Sequence, residues 1–310
     1  MLTIKNLVKN YGKFTAVNNL SLHVNKGSIY GFVGPNGAGK TTTMKIIAGL
    51  LSATSGSVVI DGNEVIKNPR LLREKIGYMP DFFGVYDNLK VTEYMDFYAG
   101  TYYIPYRERK DIIDNLLEIV DLSDKKDSYV DSLSRGMKQR LCLARSLIHD
   151  PELLILDEPA SGLDPRARVE MKEILKQLRE MGKTIIISSH ILPELAEMCT
   201  EIGIIDRGQL SAEGSVAEIM KKLTKKRIIN VKPFEYSEKL YKILSEKPFI
   251  SEIIENTDDI EFAFDGDDKQ LSVLLKDIVM EDIPLLSFKE KEGNLEEIFM
   301  QITGGNENDA

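Results

Sequence analysis

The sequence predicts an α/β protein with a mostly parallel sheet, some antiparallel strands and a helical insertion, followed by a small α+β domain. Three observations carry that expectation. Leu153–Leu156 and Thr184–Ile187 are continuously apolar, as parallel strands covered on both faces tend to be. Ser28 to Val33 runs straight into a glycine-rich turn, after which Thr41 to Leu50 has helical character. The charge is also unevenly divided. Residues 231–310 hold 8 Lys against 20 Asp or Glu, while residues 1–230 hold 32 basic and 29 acidic residues. Such a shift marks a domain boundary, placed in the Lys-rich stretch Lys221 to Arg227.

The remaining elements follow in order. Leu20, Leu22 and Val24 alternate as on a half-buried strand. Residues 82–150 read as helical: Ile112, Ile113, Leu116, Leu117 and Val120 make one stripe, and Met137, Leu141, Ala144 and Ile148 another. Ile202–Ile205, the turn Asp206-Arg207-Gly208-Gln209 and Leu210 form a hairpin pattern. The acidic part reads strand (Arg227–Val231), helix (Tyr236–Leu244), strand (Glu252–Glu255), strand (Ile260–Phe264), helix (Lys269–Val279), strand (Pro284–Phe288) and helix (Leu295–Ile302). Asn294 and Glu297 have capping-box spacing at that last helix. A split βαβ sandwich is expected there. The predicted organisation is therefore 1–224, with its helical subdomain at about 82–150, then 225–303, then a frayed tail 304–310.

Composition narrows the function. The 310 residues fit roughly two domains of about 150 residues. A hydrophobic fraction of 43% with mean hydropathy −0.18 fits a soluble globular protein. The net charge of −9 excludes a nucleic-acid binder that works through a wholesale basic surface. No stretch approaches the roughly 18 to 20 apolar residues that cross a bilayer, and Met1 to Asn10 lacks a signal-peptide core. Any membrane role therefore needs another chain to cross the membrane. Cys142 and Cys199 have no metal or redox spacing and read as reduced thiols of a cytosolic protein.

Gly34-Pro35-Asn36-Gly37-Ala38-Gly39-Lys40-Thr41 matches G-x-x-x-x-G-K-[ST] in full. Its glycines let the backbone curl so that successive N–H groups face phosphate oxygens. The helix that follows turns its positive end to the same anion. Lys40 is a mobile charge for the β and γ phosphates, and the Thr41 hydroxyl is a Mg²⁺ ligand. Thr42, next along the helix, is counted with the phosphate-binding residues. The expected core is thus that of a P-loop NTPase.

Leu153–Leu156 ends in Asp157-Glu158. Side chains alternate on a strand, so the two carboxylates start on opposite sides and take different tasks. Asp157 is the metal candidate and Glu158 the base that orients or deprotonates water. His190 follows Thr184–Ile187 and Ser188-Ser189, at the strand end where open α/β sheets bind ligands. Two roles stay open for it: capping the next helix or touching a phosphate. His23 and His149 have no such setting.

These residues resemble, as an ordered series, the ATP-binding cassette (ABC) ATPases. Walker A is Gly34–Thr41, the signature is Leu133-Ser134-Arg135-Gly136-Met137, and Walker B is Leu153–Asp157 followed by Glu158. The D-loop is Ser161-Gly162-Leu163-Asp164, the switch histidine is His190, and Tyr11 stands where the family places a ring against adenine. Lys40 and Asp157 are 117 residues apart, and Ser134 and Asp157 are 23 apart, as in that family. The likeness covers about residues 1–220. The acidic remainder, ending Asn294-Leu295-Glu296-Glu297-Ile298-Phe299, is similar to the extra domain of ABC-2-type and drug-resistance-type exporter subunits.

The resemblance implies a head-to-tail dimer. ATP lies between Walker A of one copy and Ser134 and Gly136 of the other, Asp164 communicates between sites, and His190 senses the γ-phosphate. It also implies separate transmembrane permease subunits, an exporter role, and a cytoplasmic location on the inner face of the cell membrane. Two departures stand out. Asp81 occupies the position of the family's Gln, a ligand for the metal and the water, and reads either as a shorter, charged metal ligand or as a simple turn residue before Phe82-Phe83-Gly84. Arg135 and Met137 replace the usual Gly and Gln of the signature. Phe82, Phe83, Val85 and Tyr86, with Leu89 and Val91 beyond them, are read either as ordinary core or as a socket for a helix of the membrane subunit. The competing function is a soluble cassette ATPase remodelling ribosomes or nucleic acid. Against it stand a single motif set, no heptad run and the acidic appended part.

Overall fold

The computed structural model describes residues 1–65, 74–81, 84, 88–223, 227–235 and 238–291. The aromatic cluster Phe82, Phe83, Val85 and Tyr86, the Asn294/Glu297 capping box, the helix expected at Leu295–Ile302 and the tail lie outside the described residues. The chain divides into two compact units between Ile219 and Met220.

In the first unit, strands β1 (Leu2–Tyr11) and β2 (Phe14–Val24) form an antiparallel hairpin. Its two-residue connection uses a positive φ of 59° at Gly12, as tight hairpins require. Leu20, Leu22 and Val24 alternate inward as expected and pack with Tyr30, Phe32 and Met44. β3 (Ile29–Val33) is buried along its length and leads into helix α1 (Lys40–Ile47). This helix stops before the expected Leu50. Gly49, at φ 69°, donates to the Ile46 carbonyl, and Leu50 donates to the Lys45 carbonyl. That pair of bonds closes the last turn and turns the chain away.

Strands β4 (Ser55–Ile60) and β5 (Asn63–Glu64) complete a four-stranded antiparallel sheet ordered β2-β1-β4-β5. β6 (Ile76–Met79) precedes the helical insertion of α2 (Val91–Thr101), α3 (Tyr106–Ile119) and α4 (Arg135–Leu147). On α3, Ile113, Leu116 and Leu117 are the buried members of the predicted stripe. β7 (Leu153–Asp157), α5 (Pro165–Glu180), β8 (Thr184–Ser189), α6 (Leu192–Met198), β9 (Glu201–Asp206), β10 (Gln209–Ser215) and α7 (Val216–Leu223) follow. A second sheet has the order β10-β9-β3-β8-β7-β6, parallel from β9 to β6 with β10 as an antiparallel edge. The β9–β10 turn has positive φ at both Arg207 and Gly208, the geometry that matches strand twist in a two-residue hairpin.

The second unit runs β11 (Arg227–Pro233), α8 (Glu238–Ser245), β12 (Ile250–Glu255), β13 (Ile260–Phe264), α9 (Asp268–Met280) and β14 (Leu285–Lys291). Its sheet order, β12-β13-β11-β14 with antiparallel neighbours, is the split βαβ arrangement. Ile229, Val231, Phe262 and Phe264 of the sheet bury against Leu240 and Leu244 of α8 and Leu274 and Ile278 of α9. Asp267 and Gln270 cap α9 reciprocally. Among the described residues, no helix is long and apolar enough to cross a membrane.

Candidate functional site: a nucleotide cleft at the carboxyl edge of the parallel strands

Four neighbouring parallel strands, β3, β8, β7 and β6, deliver the predicted residues to one edge. β3 feeds the Gly34–Thr41 loop, β8 ends one residue before His190, β7 ends at Asp157 with Glu158 next, and β6 is followed, after Pro80, by Asp81. A cleft of about 420 Å³ opens there. Its lining comprises Pro35 to Thr42, Asp81, Glu158, Ser161 and His190, with Tyr11, Phe14 and Ala16 from the β1–β2 hairpin. That volume lies in the range of small-molecule sites.

The loop needs glycine for close approach. Gly39 caps α1 at φ 103°, and a Cβ there would run into the Ala16 carbonyl oxygen. A Cβ on Gly34 would strike the carbonyl oxygen of Ile205. Lys40 is buried; its Nζ donates to the carbonyls of Gly34 (2.7 Å) and Pro35 (3.2 Å) and stands 3.7 Å from Glu158 Oε1. Burial pulls the Lys40 pKa down, and the nearby carboxylates Glu158 and Asp157 oppose that pull.

Asp157, 1% exposed, is held from both sides. Its Oδ1 accepts from Ser188 Oγ at 2.6 Å and from Thr41 Oγ1 at 3.1 Å. Among the described residues, its buried Oδ2 has no hydrogen-bond partner. A buried oxygen left without a donor suits a cation or its water. The hydroxyl of Thr41 and the carboxylate of Asp157 are the hard oxygen donors that Mg²⁺ prefers. Among the described residues there is no group of three His, Cys, Asp or Glu around a metal position. Burial, then Asp157 and Asp81, raise the pKa of the neighbouring Tyr78 phenol.

Glu158 leaves the strand with φ 52°, turning its side chain away from that of Asp157. Its backbone N–H donates to Ser188 Oγ at 3.0 Å, and its Oε2 lies 3.0 Å from His190 Nδ1. The alternative for His190, a helix cap, is not what the structure shows. Ser189 Oγ takes the Ile191 N–H just ahead of α6, while His190 lines the cleft. His149 does structural work instead. It stacks on Tyr102 at 3.9 Å and meets the Ile76 carbonyl at 3.0 Å.

Ser134, Gly136 and Asp164 do not line this cleft. Ser134 Oγ caps α4 by accepting from Met137 N, and Asp164 Oδ1 caps α5 by accepting from Ala167 N. The two segments are nevertheless neighbours. A Cβ on Gly136 would sit 3.0 Å from Ala167 Cβ, and the Arg135 guanidinium packs over the bare Gly162. Gln139 of α4 donates to the Ser161 carbonyl at 3.3 Å.

Sequence reasoning missed Ser188 and Phe14. Ser188 lies opposite Asp157 in the β7–β8 register, which a single sequence does not reveal. Phe14 sits opposite Tyr11 across the hairpin, and the Gly12-Lys13 turn between the two rings was the signal that could have found it.

Residues 17–161 match the ABC transporter family, and residues 214–303 match the C-terminal domain family of DrrA1-3-like ATP-binding proteins. The linearmycin resistance ATP-binding protein of Bacillus subtilis (strain 168) is 34% identical over 98% of each chain. The bacitracin transport ATP-binding protein of Bacillus licheniformis is 38% identical over 96% of each. A Nod factor export ATP-binding protein of Ralstonia nicotianae is 32% identical, over 98% of this chain and 94% of that one. Among solved structures, an ATP-binding subunit of an ABC transporter superposes with TM-score 0.64 at 29% identity, covering 72% of this chain and 92% of that one. A dimeric ATP-binding cassette in a post-hydrolysis state, bound to ADP and Pi, gives TM-score 0.63 at 26% identity over 70% of this chain and 99% of that one. Similarity that runs almost end to end through several such relatives has one reading: this chain belongs to the ATP-binding subunits of ABC transporters, ATPases coupled to transport.

Proposed function

We propose that this chain powers an exporter: ATP closes two copies head to tail, hydrolysis reopens them, and separate permease subunits convert that cycle into substrate movement. The observation that carries the proposal is the convergence of Lys40, Thr41, Asp157, Glu158 and His190 on one sheet edge. The relatives named for resistance and export support the outward direction. With no described helix able to span a bilayer, the permeases would hold the subunit against the inner face of the membrane.

In this reading the backbone N–H groups of residues 36–41 and the positive end of α1 bind the β and γ phosphates. Lys40 leaves its carbonyl partners for the γ-phosphate. Thr41 and Asp157 would hold Mg²⁺, with the Asp81 carboxylate beside them in the cleft. When bound, the ion draws charge from the phosphate oxygens and fixes their orientation. Glu158 orients and deprotonates the attacking water, and His190 steadies its carboxylate and reports on the γ-phosphate. Ser134, Gly136 and the N-terminus of α4 supply the second wall from the other copy. Asp164, beside the signature segment of its own chain, links the two sites. Tyr11 stacks on the base.

Two measurements test this. ATPase activity should be lost in Lys40→Ala and should fall per chain on dilution of the unmodified protein. The protein expressed with its candidate permeases should co-purify with them from detergent-solubilised membranes. Sedimentation with ribosomes instead would transfer the chain to the remodelling class.

A further inference from the structure

We propose that Glu194 is a positioning residue for His190: braced by Arg168, its carboxylate holds the hydroxyl that ties together the two residues flanking His190, and so sets the imidazole against Glu158. The proposal rests on the reading of Glu158 and His190 as the catalytic pair of the cleft.

His190 lies between the end of β8 and the start of α6. Both of its neighbours meet at one hydroxyl. Ser189 Oγ accepts the Ile191 N–H at 3.0 Å and donates to Glu194 Oε2 at 3.4 Å. The other oxygen of Glu194, Oε1, stands 3.0 Å from Arg168 Nη1. Arg168 is fixed in turn, because its Nη2 donates to the Leu163 carbonyl at 3.2 Å. The contacts thus run from Leu163 through Arg168, Glu194 and Ser189 to the backbone on either side of His190. A planar guanidinium suits this task, since its fork holds two acceptors in fixed directions.

The surroundings of Glu194 make the brace necessary. Its side chain is 9% exposed. Burial raises its pKa, Arg168 and His190 oppose that rise, and Glu158 adds to it. Without Arg168 it would be an uncompensated buried charge in the field of a second carboxylate.

Docking of α6 does not account for the pair. Leu192, Leu195 and Met198 bury that helix, and Lys172 of α5 reaches Glu197 of α6 at 2.8 Å. That bridge faces solvent, with Glu197 68% exposed. Of these four charged residues, Glu194 is the one bonded to the His190 loop. Lys172 and Glu197 therefore supply a control: the same two helices joined, with no line to His190.

The experiment follows single-turnover hydrolysis of labelled ATP, which reads slow variants, together with ATP Kd by equilibrium dialysis and Tm by calorimetry. It compares the full chain with Glu194→Gln, Lys172→Ala, His190→Ala and the double variant Glu194→Gln/His190→Ala. The amide keeps an acceptor for Ser189 and loses the charge that Arg168 holds. Hydrolysis by Glu194→Gln should fall at least about tenfold, within the range that a misplaced catalytic group produces. Its ATP Kd should stay within about twofold, because the phosphates are bound elsewhere. Lys172→Ala should hydrolyse like the unmodified protein. The double variant should be no slower than His190→Ala, since a residue that acts through another adds nothing once that other is gone.

Unchanged hydrolysis in folded Glu194→Gln overturns the proposal. So does a matching loss of ATP affinity, a loss that multiplies with that of His190→Ala, or one that Lys172→Ala reproduces. Should Glu194→Gln not fold, Arg168→Lys is read by the same criteria, because a single ammonium lacks the fork that spans Glu194 and the Leu163 carbonyl. Full activity in His190→Ala is a different result: it overturns the catalytic reading of His190, and the proposal with it.

Discussion

His190 Nδ1 lies 3.0 Å from Glu158 Oε2, though 32 residues separate them in the chain. The pairing follows from the register of β7 and β8, in which Asp157 faces Ser188. β7 ends at Asp157 and β8 one residue beyond its partner, at Ser189, so Glu158, at a positive φ, and His190 leave the two strands side by side.

Glu158→Gln should therefore cut kcat by at least about 100-fold, the usual scale for removing a general base. The amide keeps the shape and the capacity to bond His190, so ATP should still bind. Size-exclusion chromatography with Mg-ATP should show a stable dimer of this variant. A protein that stays monomeric would remove the sandwich from the mechanism.

Lys40 gives a pH dependence with a definite sign. Its charged form binds phosphate, and burial has lowered its pKa. ATP affinity should thus be full below that depressed pKa and should fall as pH rises through it. The loss begins at a lower pH than an exposed lysine would give. Dialysis against labelled ATP between neutral and alkaline pH checks this; a flat profile to the range of an ordinary lysine would contradict it.

Ser188→Ala tests the support beneath both carboxylates. It removes the 2.6 Å donor to Asp157 and the acceptor for the Glu158 N–H. Leaving one buried polar group unpaired costs about 1–3 kcal/mol. Calorimetry should record a lower Tm, and ATPase activity should fall further than the folded fraction does. Activity that tracks only the folded fraction would confine Ser188 to stability.

Asp81 places a negative charge in the cleft beside the phosphate loop. Asp81→Gln removes a like charge from the triphosphate. ATP affinity should rise by about two- to fivefold, in proportion to an exposed charge contact. The gain should shrink at high salt. A loss of affinity would instead make the Asp81 carboxylate a needed metal ligand.

Chelation supplies the metal test. EDTA should abolish hydrolysis and Mg²⁺ should restore it, while Asp157→Asn should raise the Mg²⁺ concentration needed for ATP binding, read by dialysis. The neutral amide keeps acceptor geometry for Thr41 and Ser188 and loses the charge at the orphaned Oδ2.

The local features of this protein were legible in one dimension. The phosphate loop is a contiguous string whose spacing states its own geometry. The buried runs at β7 and β8 and the stripe on α3 follow from periodicity. The βαββαβ order of the acidic unit follows from alternating short patterns. Each depends on residues a few positions apart, which is the range over which backbone sterics and side-chain period act.

What the tertiary structure decided is everything that needs a neighbour. Only the strand order β3-β8-β7-β6 brings His190 between the phosphate loop and Glu158. Only strand register makes Ser188 the donor to Asp157, and only the hairpin sets Phe14 beside Tyr11. The Gly49 cap that ends α1 before Leu50 likewise depends on backbone bonds that composition does not announce. Strand order and register are chosen by which apolar faces can be buried together and which backbone groups then pair. That choice is made by the whole chain at once and is written in no single segment of it.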